Sequence, residues 1–395
     1  MSLIQTNYQP SMSDYLNYIK TQNVREMIYK IELIRKSDQT PYESIEDSVL
    51  NSTGTINVTL GDGVRRTCSM TLKNIDNKYT SLFSNLSIGS KFKVSIGYNI
   101  NGTPKYFPQG VFVFDSPSIN SMLSEKTVDI SGTDKWSMMD GTNGGIFEMT
   151  YIVESGDTIK NVIERTIVLD ICNDLTPPII DESIQNIEIP YDLEYSAGQS
   201  MSELMLEIGV IANAYIYYDE NGALNIKPIE YDAEKGSTYD FVSGQDINYI
   251  SATKQLLYTD VYNGVFVEAD NSQDDVLPIT AYVQNMDLTD PNSVPNLGHT
   301  KWYQVTDYTS GINTQQKADE RVAYELAKKA SLSSSLSINC STIPHIVENT
   351  IITLTDEYVG SNQERFLVNS LSIPISYDGT MTIGCSKAMG YIYGI

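Results

Sequence analysis

The side chains that could do chemistry are sparse in this chain of 395 residues, which has two histidines. His345 stands just before Glu348 in Thr-Ile-Pro-His-Ile-Val-Glu, and an imidazole with a carboxylate can begin a zinc site. No second histidine is near and the segment is not helical in pattern, so a satisfied surface or turn histidine is expected. His299 lies in a Pro-, Asn- and Gly-rich loop. Ser251-Ala252-Thr253-Lys254 fits the Ser-x-x-Lys of penicillin-binding enzymes, which opens a helix there. Here it sits in β-like sequence without the partner motifs, and coincidence is the reading. Asp270, Ser272 and Asp274 have the spacing of a calcium loop. Asp275 then replaces the glycine and Ala281 the bidentate glutamate, so the loop is no EF-hand and could hold calcium only adventitiously. Cys68, Cys172, Cys340 and Cys385 form no close pair, which excludes a zinc ribbon or a redox Cys-x-x-Cys. Nucleophile elbow, His-Glu-x-x-His and phosphate-loop motifs are absent. Whether two carboxylates stand at a glycosidase separation depends on spacing in three dimensions. No catalytic, cofactor-binding or metal-binding residue is therefore assigned, and no cofactor is expected.

One motif occurs twice. Phe112 to Ile119 reads F-V-F-D-S-P-S-I, and Phe366 to Ile373 reads F-L-V-N-S-L-S-I. Phe112/Phe366, Ser116/Ser370, Ser118/Ser372 and Ile119/Ile373 are identical, whereas Pro117 and Leu371 are unrelated. An alternating strand precedes each copy, around Val94 and around Leu354. Another follows each, ending at Lys135 and at Lys387. Three strands in the same order point to one β-unit used twice, and three subunits would present six such units.

The remaining pattern divides the chain. Residues 1–24 are polar and read as an N-terminal arm. Residues 25–135 alternate strand-like runs around Gly61-Asp62-Gly63 and Asn101-Gly102 and show no convincing helix, which predicts a first antiparallel β-barrel. Residues 136–244 form an α+β middle domain. It has one helix over 158–169 capped by Asp157 or Thr158, another over 200–212 with a Ser200–Glu203 capping box, and a hairpin at Asn221-Gly222. The two helix starts look alike, from Gly156 and from Gly198. Residues 245–395 return to β-pattern as a second barrel, with a loop or exposed hairpin over 270–296 and a helix over 315–331. The expected fold class is mainly β (α+β): two related antiparallel β-barrel domains with an inserted α+β middle domain.

The net charge is −24, and the middle carries it: residues 136–300 have 5 Lys and Arg against 28 Asp and Glu. A solvated acidic surface is the plain reading. Stable nucleic-acid binding is not expected, because that relies on basic side chains at phosphates. No apolar stretch approaches a membrane span and the N-terminus has no signal-peptide pattern, so assembly inside the producing cell is expected, without membrane insertion.

In this order the elements resemble the baseplate hub (tail tip hub) proteins of tailed bacteriophages and the N-terminal part of VgrG spikes in contractile injection systems. The resemblance is carried by R-R-T-C-S-M-T-L-K-N-I-D-N-K-Y, I-G-S-K-F-K-V-S-I-G-Y, Q-G-V-F-V-F-D-S and V-D-I-S-G-T-D-K-W in the first part. Further on it is carried by Y-D-E-N-G-A-L-N-I-K-P, T-D-V-Y-N-G-V-F-V-E, D-E-R-V-A-Y-E-L-A-K-K and F-L-V-N-S-L-S-I-P-I-S-Y-D-G-T-M-T-I. It implies a homotrimer whose six β-units make a pseudo-sixfold ring. Such a ring would adapt a hexameric tail tube, or distal tail protein, to a trimeric spike or tail-tip protein within the virion. It implies no catalytic residues. Two other functions compete: a tail-associated cell-wall-degrading enzyme, suggested by the Gly-Asp-Thr-Ile helix start, and a carbohydrate- or receptor-binding tail protein, suggested by the 27 tyrosines.

Overall fold

Alternating apolar residues become strands wherever a turn residue can reverse the chain. The computed structural model describes residues 10–61, 63–84, 86–123, 125–166, 174–230, 232, 235–257, 259, 261–269, 278–306, 312, 314–331 and 334–388. The first described element is a helix, α1 (Met12–Thr21), so residues 12–21 are no loose arm. Ser11 and Asp14 form a reciprocal capping box, and Tyr15 and Ile19, one turn apart, are buried in the main core.

The first β-unit comprises β1 (Met27–Ile34), β2 (Pro41–Ser44), β3 (Gly54–Thr59), β4 (Arg66–Lys73), β5 (Lys91–Ile100), β6 (Thr103–Phe114), β7 (Ser118–Ser121) and β8 (Lys126–Asp134). One short helix, α2 (Lys78–Ser84), interrupts it and buries Tyr79 and Phe83, against the expectation of none. Asn101 and Gly102, both at positive φ, turn the β5–β6 hairpin as their types require.

The middle domain comprises β9 (Tyr151–Val153), α3 (Ile159–Ile163), β10 (Ile179–Ile180), β11 (Leu193–Tyr195), α4 (Met201–Ala212), β12 (Ala214–Tyr218) and β13 (Leu224–Pro228). Its own core runs from Trp136 to Ile226. Thr158, not Asp157, caps α3. Ser200 caps α4 by position, but its side chain makes no capping hydrogen bond, so the expected box is not formed there. Residues 167–169 of the first expected helix lie outside the described residues.

The second β-unit begins earlier than expected. β14 (Ser237–Val242) pairs with β20 (Ile351–Asp356) in the main sheet, so residues 237–242 belong with the second unit rather than with the middle domain. Between them come β15 (Tyr249–Leu256), β16 (Gly264–Ala269), β17 (Ile279–Gln284), α5 (Val294–Leu297), β18 (Trp302–Val305), α6 (Gln315–Ser331) and β19 (Ser334–Ser341). After β20 come β21 (Ser361–Ile375) and β22 (Thr380–Lys387). β16 to β18 form a separate three-stranded sheet that packs on α6 around Val265, Val267, Val322 and Leu326. The stretch over 270–296, expected as a loop or an exposed hairpin, contains β17, paired antiparallel with β16.

The two β-units match over five strands each, beyond which they differ, since β1 runs antiparallel to β5 whereas β14 runs parallel to β20. In the first, the pairing runs β5-β6-β8-β4-β3; in the second it runs β20-β21-β22-β19-β15. Phe92 opposes Phe112 as Ile352 opposes Phe366. Ser118 opposes Asp129 as Ser372 opposes Thr382. The register slips after Val94 in the first unit and after Leu354, its equivalent, in the second. A bulge splits Val368 from Ser370 in β21, and the same shift of one residue separates the β6–β8 pairing from the β7–β8 pairing. Bulges reset which face each side chain meets, so their coincidence marks common construction. Pro117 has no N–H to donate, and there the first unit breaks into β6 and β7; Leu371 lets β21 run through.

Both units contribute to one core, in which Phe112 and Phe366 are fully buried. The outer edge of β21 pairs with β3, Ile373 opposite Ile56, and joins the two related antiparallel β-units into one 14-stranded sheet.

The middle domain holds a second duplication, offset by 42 residues in the chain and reciprocal in space. β9 and β11 pair with Ile152 opposite its own equivalent, Glu194. Gly198 N–H donates to Phe147 O at 2.8 Å, and Gly156 N–H donates to Ile189 O at 2.8 Å. Gly156 and Gly198 both take a positive φ at the turn into their helices.

Candidate functional site

The residues singled out from sequence do not converge. His345 sits half-buried in a turn, as one of the two expected settings: its Nδ1 meets the Tyr15 hydroxyl at 2.9 Å, and its ring packs edge-on against Tyr15. Phe107 and Tyr239 lie within ring-contact distance as well. Burial pulls the imidazole down to about 4 from its ordinary value, because a charged ring would lose its water there. This histidine therefore fastens α1 to the core. Glu348 points elsewhere, accepting from Arg66 Nη2 at 2.5 Å with both side chains buried. His299 is exposed and meets the Leu297 carbonyl at 3.2 Å.

Ser251 and Lys254 lie in β15, where residues three apart face opposite sides of the sheet, so they cannot act on one substrate atom. Lys254 donates to Glu364 at 2.5 Å, and Ser251 Oγ accepts from Asn339 at 3.1 Å. Asp270, Ser272, Asp274 and Asp275 lie outside the described residues. Ala281, the last position of that spacing, is buried in β17. Cys68, Cys340 and Cys385 are buried free thiols, and burial pushes all three up, away from the reactive thiolate. Cys172 lies outside the described residues. Among the described residues no group of three or more His, Cys, Asp or Glu is placed to hold a metal ion.

Sequence reasoning missed the buried charge that locks the parts together. Arg66, in β4 of the first unit, also donates to the Gln109 carbonyl at 3.0 Å, while Gln109 donates to the Pro344 carbonyl at 2.8 Å. Glu220, on the turn between β12 and β13, stands 3.8 Å from the same guanidinium. One arginine thus touches both β-units and the middle domain. Next along the junction, Asp134 accepts from the backbone N–H of Arg65, Arg66 and Trp136 at 2.8 to 3.0 Å. Its carboxyl is nevertheless raised to about 6, burial outweighing those donors. Lys135 donates to Asp174 at 2.8 Å and to Thr176 at 2.7 Å, and Tyr218 donates to Asp174 at 3.1 Å. Lys135 and Asp174 are each about 1% exposed, so solvent and substrate are both shut out. The signal was faint: Asp134-Lys135-Trp136 closes a strand with two charges beside a tryptophan, and their partners lie far along the chain.

Two features at the surface are concave or aromatic. A cleft of about 230 Å³ between α4, β12 and α6 is lined by Tyr215, Tyr324, Arg321 and Glu325. The two tyrosine hydroxyls bond each other and Arg321 pairs with Glu325 at 3.1 Å, while Lys328 and Lys329 also line the cleft, Lys329 lying over the Tyr303 ring. Phe266, Tyr282 and Trp302 share the outer face of the small sheet, with Tyr282 74% exposed. No helix among the described residues is long and apolar enough to cross a membrane.

No family model and no curated protein matches the chain. Solved structures do. The 43 kDa tail protein of prophage MuSo2 from Shewanella oneidensis is 15% identical, with a TM-score of 0.60 over 92% of this chain and 99% of that one. A tail protein from Neisseria meningitidis is 12% identical, with a TM-score of 0.61 over 92% and 98%. A chain of the Francisella PdpA–VgrG complex is 11% identical, with a TM-score of 0.56 over 95% of this chain and 54% of that one. The fold of this chain is that of these tail and VgrG-complex proteins over 92 to 95% of its length.

Proposed function

We propose that this protein is a structural hub of a phage tail or of a phage-derived injection device. In this reading three copies assemble into a ring of six β-units, which adapts a hexameric tail tube to a trimeric spike. The observation that carries it is the repeat: one chain holds two units, equivalent in strand order, register and bulges, joined edge to edge through β21 and β3. A sixfold neighbour would meet six similar surfaces, and a threefold neighbour would meet three whole chains. The shared fold with prophage tail proteins supports the reading. So does the buried Arg66–Glu348 and Lys135–Asp174 junction, which suits a rigid adaptor rather than a substrate cleft. The acidic middle domain would repel passing DNA rather than hold it.

The aromatic trio of half-buried Phe266 with exposed Tyr282 and Trp302 favours a second reading, a carbohydrate- or receptor-binding tail protein, since flat aromatic faces suit sugar rings. Gold-labelled antibody on purified particles tests the first: label at the end of the tail tube supports the hub. Particles that lack the protein, or label along fibres together with glycan binding lost on Trp302→Ala, would replace the hub with the second reading. Release of fragments from purified cell wall by the protein alone would overturn both in favour of an enzyme.

A further inference from the structure

We infer that the subunit interface is a main-chain strand pairing between β7 of one copy and β15 of the next. It deepens the ring reading and rests on it for the number of copies; the pairing itself rests on the repeat. Inside the chain, the second unit offers the outer edge of β21 and the first accepts it with β3. By the registers above, the equivalent of the outer half of β21 is β7, and the equivalent of β3 is β15. Among the described residues β7 pairs only with β8 and β15 only with β19, so each keeps one edge open. An open edge is a row of unpaired N–H and C=O groups, a template for another strand. Every unit therefore has one donor edge and one acceptor edge. The chain satisfies one such junction internally and is left with one complementary edge at each end. β2 and β14 are edge strands as well, but neither has an equivalent that is paired across units.

Side chains agree with this placement. Along β21 and β3 the inward pair Ile373 and Ile56 is fully buried. The equivalent residues at the open edges are Ile119, 42% exposed, and Lys254, whose stem can lie over an apolar neighbour while its charge stays with Glu364. Leu256, 58% exposed, would face Pro117, and Met122 and Leu123 stand exposed at the turn beyond β7. Exposed apolar residues thus flank both open edges. Carrying the β21–β3 register across sets Ser118 opposite Gln255, Ile119 opposite Lys254, Asn120 opposite Thr253 and Ser121 opposite Ala252 of the neighbour.

Because opposed residues in an antiparallel pair come within disulfide reach, cysteine pairs read this register directly. The full chain carrying Asn120→Cys with Thr253→Cys, or Ser121→Cys with Ala252→Cys, is oxidised and run without reductant beside the single variants. At least one matched pair is expected to give covalent dimers and a covalent closed ring. Asn120→Cys with Gln255→Cys, two residues out of register, should give at least tenfold less. Circular dichroism and the uncrosslinked mass of each variant report folding independently. Folded matched variants that stay uncrosslinked, or that crosslink no better than the offset pair, overturn the inference. Antibody label at the tail tip without the crosslink would leave the hub reading standing and remove this interface. A crosslinked ring from a protein absent from particles would do the reverse.

Discussion

The β-units and the smaller repeat of the middle domain both copy a piece of chain, yet they join their copies in opposite ways. In the middle domain the contacts are reciprocal: Gly156 bonds the partner half as Gly198 bonds the first, and Ile152 meets its own equivalent in Glu194. A reciprocal junction uses the same surface twice and leaves nothing over. In the main sheet the junction is head to tail: β21 meets β3, two different edges, and one of each stays open. Heterologous contacts of that kind either close into rings or run on as filaments. The first duplication builds a self-contained domain, and the second builds a segment of something larger.

Equivalence of the β-units makes the strongest demand on stability. Phe112→Ala and Phe366→Ala should each cost about 3–5 kcal/mol, as buried aromatics do, and the two costs should agree within about 1 kcal/mol. Denaturant titration of both variants measures this; a cost near zero for one would show that the matched positions are not matched in packing.

Acid should distinguish the two regions next. His345 is held down to about 4 in the folded chain and titrates near 6.5 when unfolded, so the unfolded state binds the extra proton between those values. The stability it contributes is complete above pH 6.5 and is lost as pH falls toward 4, by up to about 3 kcal/mol. Asp134, raised to about 6, works the other way and loses stability as pH rises from about 4 to 6, offsetting part of the effect. Hydrogen-exchange protection factors, which remove the intrinsic slowing of exchange by acid, should therefore fall on acidification in α1, which His345 fastens, before they fall in α4. His345→Phe should abolish the early change. Protection that falls together in both helices would deny that burial of this histidine anchors α1.

The smallest expected effect sharpens the reciprocal repeat. Gly156 and Gly198 both have positive φ with open space around the missing Cβ, so alanine at either meets backbone strain alone. Each substitution should cost about 1–2 kcal/mol, and the two should be alike. Thermal melts that differ widely would mean that the two turns are not equivalent.

How much of this could be read in the sequence follows from how local each feature is. The Phe112 and Phe366 motif was legible because eight consecutive residues carry it. Helix α6 was legible with its bounds, its apolar positions falling one turn apart. The first unit's β3–β4 hairpin and its equivalent were not recognised as a pair. Gly61 to Gly63 joins one, whereas the whole of β16 to α6 is inserted in the other. Pro117 further disguised the match by breaking one long strand into two. Helix α1 was missed although Ser11 and Asp14 signal its cap, because a polar N-terminal stretch reads first as an arm. The buried charges could not be found at all: Arg66 and Glu348 lie 282 positions apart, and a buried arginine looks like a surface one until its partner is placed.

The central claim is that head-to-tail edges leave this chain incomplete alone, and the mass of the intact protein in solution tests it most directly. Native mass spectrometry across a concentration series should show a closed species at three times 44.0 kDa, with no ladder continuing beyond it. A stable dimer would mean that the open edges pair reciprocally, and a monomer at every concentration would mean that they do not pair; either result contradicts the account.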